Sequence, residues 1–111
     1  MSPTYPEPDR LLTLVLPRSL EEEVLDTLHA HPALAQGFTV QHGAGMGTHV
    51  ELASALEQVR GRAHRVIVQV ALHESQVTSL LQALQADLPH PRITYWVLPL
   101  LAFGRFSDAQ P

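Results

Sequence analysis

The chain has no cysteine and no lysine. The first absence excludes disulfides, thiolate zinc sites and a thiol nucleophile, and leaves the compartment open on redox grounds. The second makes arginine the only strong cation, because all 7 basic residues are Arg. Aromatic residues are only 5% of the chain, so the core must come from aliphatic faces of helices and strands. Long apolar runs are missing too. Leu11 to Leu16 and Tyr95 to Phe103 fall far short of the roughly 20 residues that span a bilayer. The N-terminus, Ser2-Pro3-Thr4-Tyr5-Pro6-Glu7-Pro8, has no basic start followed by an apolar stretch, so a cytoplasmic location is expected and direct membrane insertion is not. A formal charge of −4 argues against a nucleic-acid partner, since such proteins present a basic face to phosphates.

What is present is a pattern for one domain. Residues 1–9 carry Pro3, Pro6 and Pro8 with few apolar residues and read as a disordered N-terminal arm. Residues 10–106 read as a single domain and 107–111 as a C-terminal tail. Leu11, Leu12, Leu14, Val15 and Leu16 are apolar on both alternating faces, which suits a central strand that Pro17 ends. Ser19 with Glu22 is a capping-box pattern, and Glu21 to Glu23 suit the positive end of a helix dipole. Leu20, Val24, Leu25 and Leu28 then give one helical stripe, which Pro32 stops. Phe38, Val40 and His42 alternate with Thr39 and Gln41 as a half-exposed strand, and Gly43, Gly45 and Gly47 are expected to end regular structure. Val66, Val68, Val70 and Leu72, with Ile67 on the other face, form a second central strand. Val77, Leu80, Leu81, Leu84 and Leu88 make an amphipathic helix ending before Pro89. Ile93, Tyr95 and Val97 make a last strand, closed by Pro99.

The order strand, helix, strand, strand, helix, strand is the ferredoxin-like βαββαβ arrangement of an α+β domain: a four-stranded antiparallel sheet with two helices on one face. In that fold the first and third strands are central, and those two carry the doubly apolar pattern. With both helices on one face, Leu11, Val15 and Ile67 on the other are expected to stay wet in a lone copy. Such a face reads as a subunit interface.

Several stretches together resemble the PII-like signalling superfamily. They are Leu11-Leu12-Thr13-Leu14-Val15 with Pro17, Gly37-Phe38-Thr39, Glu57-Gln58-Val59-Arg60-Gly61-Arg62, Tyr95-Trp96-Val97-Leu98-Pro99 and Gly104-Arg105. The pattern is similar in particular to an uncharacterised bacterial branch of small proteins often encoded near heavy-metal efflux systems. The resemblance implies a homotrimer with small-molecule or ion effectors in clefts between subunits, and a mobile loop between strands two and three that contacts effectors or partners. For that branch it also implies an accessory role in efflux, with a membrane-protein partner. The chain departs from true PII proteins in the link Asp87-Leu88-Pro89-His90-Pro91, which lacks their Gly-rich phosphate-holding segment. Adenine-nucleotide binding is therefore disfavoured.

Three groups of residues carry candidate chemistry. The connection 43–62 exceeds the roughly 12–15 residues beyond which a loop in a compact domain is usually functional; Leu52, Leu56 and Val59 have the spacing of a short helix. Arg60, Arg62 and His64 suit an effector carboxylate or phosphate through forked guanidinium hydrogen bonds, and pairing with Glu57 or Glu51 is the competing account. If the strand begins near Arg62, alternation places Arg62 and His64 on one face and Arg65 on the other, so the three arginines of this stretch cannot all serve one ligand. Seven histidines invite a divalent metal, the one cofactor the residues suggest. His42, His49 and Glu51 bracket the loop as its candidate ligands, whereas His29 and His31 are explained by the helix end they occupy.

Catalytic motifs are missing: no nucleophile elbow, no phosphate loop, no helix-borne His pair around a Glu. Ser54, Ser75 and Ser79 read as helix-end or surface residues. The expected function is a non-enzymatic regulatory or sensor module that binds a small effector and signals through the loop 43–62. The alternatives are a metal-binding accessory protein using His42, His49 and Glu51, and a ligand-free assembly module.

Overall fold

A computed structural model of the chain describes residues 6–45, 63–89 and 92–107. Strand β1 is Arg10–Pro17, followed by one 3-10 turn, Arg18–Leu20, and helix α1, Glu21–Ala30. Strand β2 is Phe38–Gly45, β3 is Ala63–Leu72, helix α2 is Glu74–Asp87 and β4 is Thr94–Pro99. The strands form one antiparallel sheet in the order β2-β3-β1-β4. The ferredoxin-like α+β expectation holds, with β1 and β3 at the centre.

Period-2 alternation explains the core directly. Leu12, Leu14 and Leu16 stand opposite Val70, Val68 and Val66 in the β1–β3 ladder, and all six are buried on the helix side. Val24 and Leu28 of α1 and Leu80 and Leu84 of α2 pack onto them in a single cluster. Thr27 Oγ1 donates to Asp87 Oδ2 at 3.0 Å and ties the two helices across that layer.

The first helix does not start as the capping box implied. Ser19 lies inside the 3-10 turn, whose Arg18 carbonyl accepts the Glu21 N–H, and the N-cap is Leu20 without a side-chain hydrogen bond. Pro17, with φ fixed near −65°, begins the turn early, so the Ser19 hydroxyl is not at the cap. The reciprocal cap instead opens α2. His73 Nδ1 accepts the Ser75 N–H at 3.1 Å while Gln76 Oε1 accepts the His73 N–H at 3.1 Å. Asp9 adds to it, its Oδ1 accepting the Glu74 N–H at 2.8 Å and its own N–H reaching the Leu72 carbonyl at 3.1 Å. The start of β1 is thereby fastened to the start of α2.

Glycine does not end β2 where the sequence pattern placed the break. Gly43, Ala44 and Gly45 continue the strand opposite Arg65, His64 and Ala63. A strand partner reaching back to Ala63 supplies the hydrogen bonds, and Gly45 supplies room: a Cβ there would sit 2.7 Å from Arg65 Cγ.

The helix-free face is not uniformly wet either. Leu11, Val15 and Ile67 are half-buried by their cross-strand neighbours, while Trp96 and Leu98 of β4 remain about half exposed; Tyr95, exposed to the same degree, stands opposite Leu14 on the helix side. Thr13 is buried at the centre of this face between Gln69 and Trp96, and its hydroxyl has no hydrogen-bond partner.

Leu12→Ala is expected to cost about 2–5 kcal/mol in urea unfolding with an unchanged m-value, whereas Leu98→Ala costs under about 1 kcal/mol. Equal losses would refute the assignment of the two faces. His73→Ala should remove about 0.5–2 kcal/mol through the α2 cap, and Ser19→Ala should change the same unfolding curve by no more than about 0.5 kcal/mol.

Candidate functional site

Polar chemistry gathers at the two ends of the β2–β3 ladder. Where β2 begins and β3 finishes, a cleft of about 1120 Å³ opens at the end of the sheet, lined from both of its faces. Two cross-strand pairs, Leu11 with Ala71 and Thr39 with Gln69, contribute to its lining. The segment entering β1 supplies Glu7, and the segment leaving β4 supplies Arg105. The Arg105 guanidinium carbon lies 5.3 Å from the Phe103 ring centroid, a cation–π distance that sets the charge on an aromatic support. The cleft thus offers apolar surface, the side-chain amides of Gln36, Gln69 and Gln76, a hydroxyl, and one charge of each sign. That mixture fits a small polar ligand with an apolar part.

The other end holds the histidines. His42 and His64, assigned to separate sites by the sequence, are diagonal neighbours with ring centroids 5.6 Å apart and nearly perpendicular planes. His42 Nε2 also meets Glu21 Oε1 at 2.9 Å. Glu21 is therefore a partner that sequence reasoning missed, having read it only as a dipole-matching acid of the first helical turn. His64 faces the helix side with Val66, and Arg65 faces away, as alternation required. Arg60, Arg62, His49 and Glu51, and the connection from residue 46 to 62 with its expected short helix, lie outside the described residues. Among the described residues no group of three or more His, Asp or Glu is placed to hold a metal ion.

The cleft was legible only in fragments. Gly37-Phe38-Thr39 and Gly104-Arg105 stood out in the sequence as marks of a resemblance, yet nothing in their spacing shows that they share a wall. Only the antiparallel return of β4 beside β1 brings the two chain ends together: Leu100 N–H bonds to the Asp9 carbonyl at 3.0 Å. Two other described histidines act locally. His29 makes an edge contact with Phe38 at 5.2 Å, and His73 is the α2 cap. Ser75 and Ser79 are exposed on α2, as expected; Ser54 lies outside the described residues.

No helix of the described residues is long and apolar enough to cross a membrane. No curated protein sequence matches the chain. Among solved structures, CPII from Thiomonas intermedia K12, a nitrogen regulatory PII-like protein bound to ADP, AMP and bicarbonate, is 21% identical with a TM-score of 0.65, covering 88% of this chain and 94% of that one. CutA from Synechococcus elongatus PCC7942 is 18% identical with a TM-score of 0.62, covering 87% and 80%. These likenesses establish the PII-like fold. A crystal structure of a DUF3240 family protein from Shewanella baltica OS155 is similar over its whole length, with a TM-score of 0.72, 20% identity and 92% of this chain covered. The family model described as "Protein of unknown function (DUF3240)" matches residues 7–107, and the chain belongs to that family.

Proposed function

We propose that this chain is a non-enzymatic regulatory or sensor module whose effector binds in the cleft between the two chain ends. The single observation that carries the reading is the cleft itself: about 1120 Å³ with Glu7, Arg105, Gln69 and Thr39 among its lining residues. Ligand pockets usually fall within about 300–1,000 Å³, so this one has room for a nucleotide-sized molecule as well as for a smaller anion. CPII, bound to ADP, AMP and bicarbonate, supports both classes as effectors here. The short link from α2 to β4 weighs against a nucleotide held by its phosphates, so Arg105 is assigned the anionic group.

The assembly in this reading is a homotrimer. About half of the surface of Trp96 and Leu98 on the helix-free face, and all of Leu101, remain exposed, an apolar excess that another copy would cover. Leu11, Thr39, Gln69 and Ala71 of that face form one wall of the cleft, and in the trimer of this reading a neighbouring copy closes it into a cleft between subunits. The connection 43–62 carries the signal outward, with Arg60, Arg62 and His64 at its β3 end. A membrane-protein partner and a role accessory to heavy-metal efflux belong to this proposal through the resemblance alone. The metal alternative retains His42 among the described residues, and that imidazole is already engaged by Glu21.

Thermal melts with ADP, AMP, bicarbonate, acetate and divalent metal salts test the reading. An effector at one hundred times its dissociation constant adds about 2.7 kcal/mol of stability. Arg105→Ala should remove that gain while leaving the unliganded melt within a few degrees. A gain that survives Arg105→Ala but is lost in Arg60→Ala/Arg62→Ala moves the site to the loop and refutes the cleft.

A further inference from the structure

Asp9 and His73 form a node to which the walls of the effector cleft lead. The Asp9 N–H donates to the Leu72 carbonyl at 3.1 Å, its own carbonyl accepts the Leu100 N–H at 3.0 Å, and its Oδ1 accepts the Glu74 N–H at 2.8 Å. Glu7 of the cleft lies just before Asp9, and Arg105 follows Leu100 on the other terminal segment. Gln76 is itself a lining residue. Its Oε1 accepts the His73 N–H at 3.1 Å and its Nε2 donates to the Ala33 carbonyl at 3.0 Å. The α1–β2 connection, which brings Leu34 into the cleft, is thereby tied to the same node.

One lone pair holds this node in place. His73 Nδ1 accepts the Ser75 N–H at 3.1 Å, which requires that nitrogen to be bare and puts the proton of the neutral ring on Nε2. A second proton must go to Nδ1. The acceptor of the α2 cap then becomes a donor facing a donor, and the positive end of the helix dipole opposes the new cation. Ser75 Oγ, 2.9 Å from the same nitrogen, accepts from the new N–H and draws the ring off the backbone amide. Among the described residues, the charged groups around the ring are Asp9 from the segment entering β1, Arg10 of β1 and Glu74 of α2. Asp9 Oδ2 favours the protonated ring, but it lies 3.7 Å from Nε2, too far for a hydrogen bond and in a partly exposed pair that solvent weakens. Asp9 Oδ1 is already shared by the Glu74 N–H and by Arg10 at 3.5 Å. Loss of the cap therefore outweighs the gain at Asp9.

We propose that His73 is a proton-operated latch on the cleft: the neutral imidazole holds the cap and the walls together, and the imidazolium releases the first turn of α2 with the Gln76 and Asp9 bonds that fasten those walls. This regulation rests on the reading of the cleft as the effector site. The stability that the latch supplies is present while the ring is neutral and is lost as pH falls, so the effector binds more tightly on the alkaline side.

The test follows backbone amide NMR signals of the effector-free protein from about pH 8 to about pH 5, the interval in which imidazole takes up a proton. Wild type is compared with His73→Ser, which keeps a good cap that does not titrate. In wild type the signals of Ser75, Leu100 and Gly104 are expected to move together with the His73 ring, and in His73→Ser to keep their positions. The other histidines titrate in both proteins and cancel from the comparison. Over the same interval wild type should lose about 4 °C more of melting temperature than His73→Ser. His73→Asn takes the place of the serine variant if that one fails to fold. ADP, AMP or acetate is then added to both proteins at each pH, so that the titration of the compound itself cancels. The rise in melting temperature should shrink at low pH severalfold more in wild type than in His73→Ser. If none of the three compounds raises the melt of either protein while Leu100 and Gly104 still follow His73, the latch stands and the effector reading fails. The proposal is overturned if Leu100 and Gly104 titrate alike in the two proteins, if they do not move in wild type, or if wild type gains melting temperature relative to His73→Ser as pH falls.

Discussion

The pairing of β1 with β3 is the constraint from which the remaining structure follows. Eight consecutive residues of β1 stand opposite Leu72 to Arg65, and the alternation of that register sends Leu12, Leu14, Leu16, Val66, Val68 and Val70 to one face. A slip of one residue would exchange the two faces completely. The face of Leu12 carries the buried apolar layer, and α1 and α2 both pack on it. The opposite face then receives what the alternation leaves over: Leu11, Thr13 and Val15 from β1, and Arg65, Ile67, Gln69 and Ala71 from β3. Leu11, Gln69 and Ala71 of this leftover set line part of the cleft at the start of β2.

Much of this was legible in the sequence because burial imposes a period. The strands around Leu12 to Leu16 and Val66 to Leu72, and the α2 stripe from Val77 to Leu88, announce themselves through 2.0- and 3.6-residue repeats that only a packed core requires. Ends were less legible, since they depend on which hydrogen-bond partner is nearest. Ser19 had the right neighbours for a cap and lost the role to a turn begun by Pro17. His73, rarely chosen as a cap, won it through Gln76 and Asp9. The glycines of β2 were read as breakers because local preference treats Gly as flexible; the presence of β3 back to Ala63 overrides that preference with ladder hydrogen bonds.

The site was less visible than the fold for a related reason. Glu7, Gln69 and Arg105 are distant in sequence and acquire common meaning only when the first and fourth strands lie side by side. His42 and His64 were seen individually, yet the partner that orients His42, Glu21, belongs to another element. Arg65 was set aside by alternation as facing away from His64. That inference was correct, but sequence alone gives no means of knowing that the face it turned to would bury it. Charged residues report function through the company they keep, and company is a property of three dimensions.

The sheet order carries one more implication, for the time course of synthesis. Strand β1 leaves the ribosome first, yet both of its neighbours are encoded later: β3 begins at Ala63 and β4 at Thr94. Until those segments emerge, a nascent ribbon rich in leucine has nothing beside it, and each pairing must close a long intervening loop. The newborn polypeptide therefore passes through a period in which its most adhesive segment is exposed. Native organisation arrives late, when the final strand settles along the first.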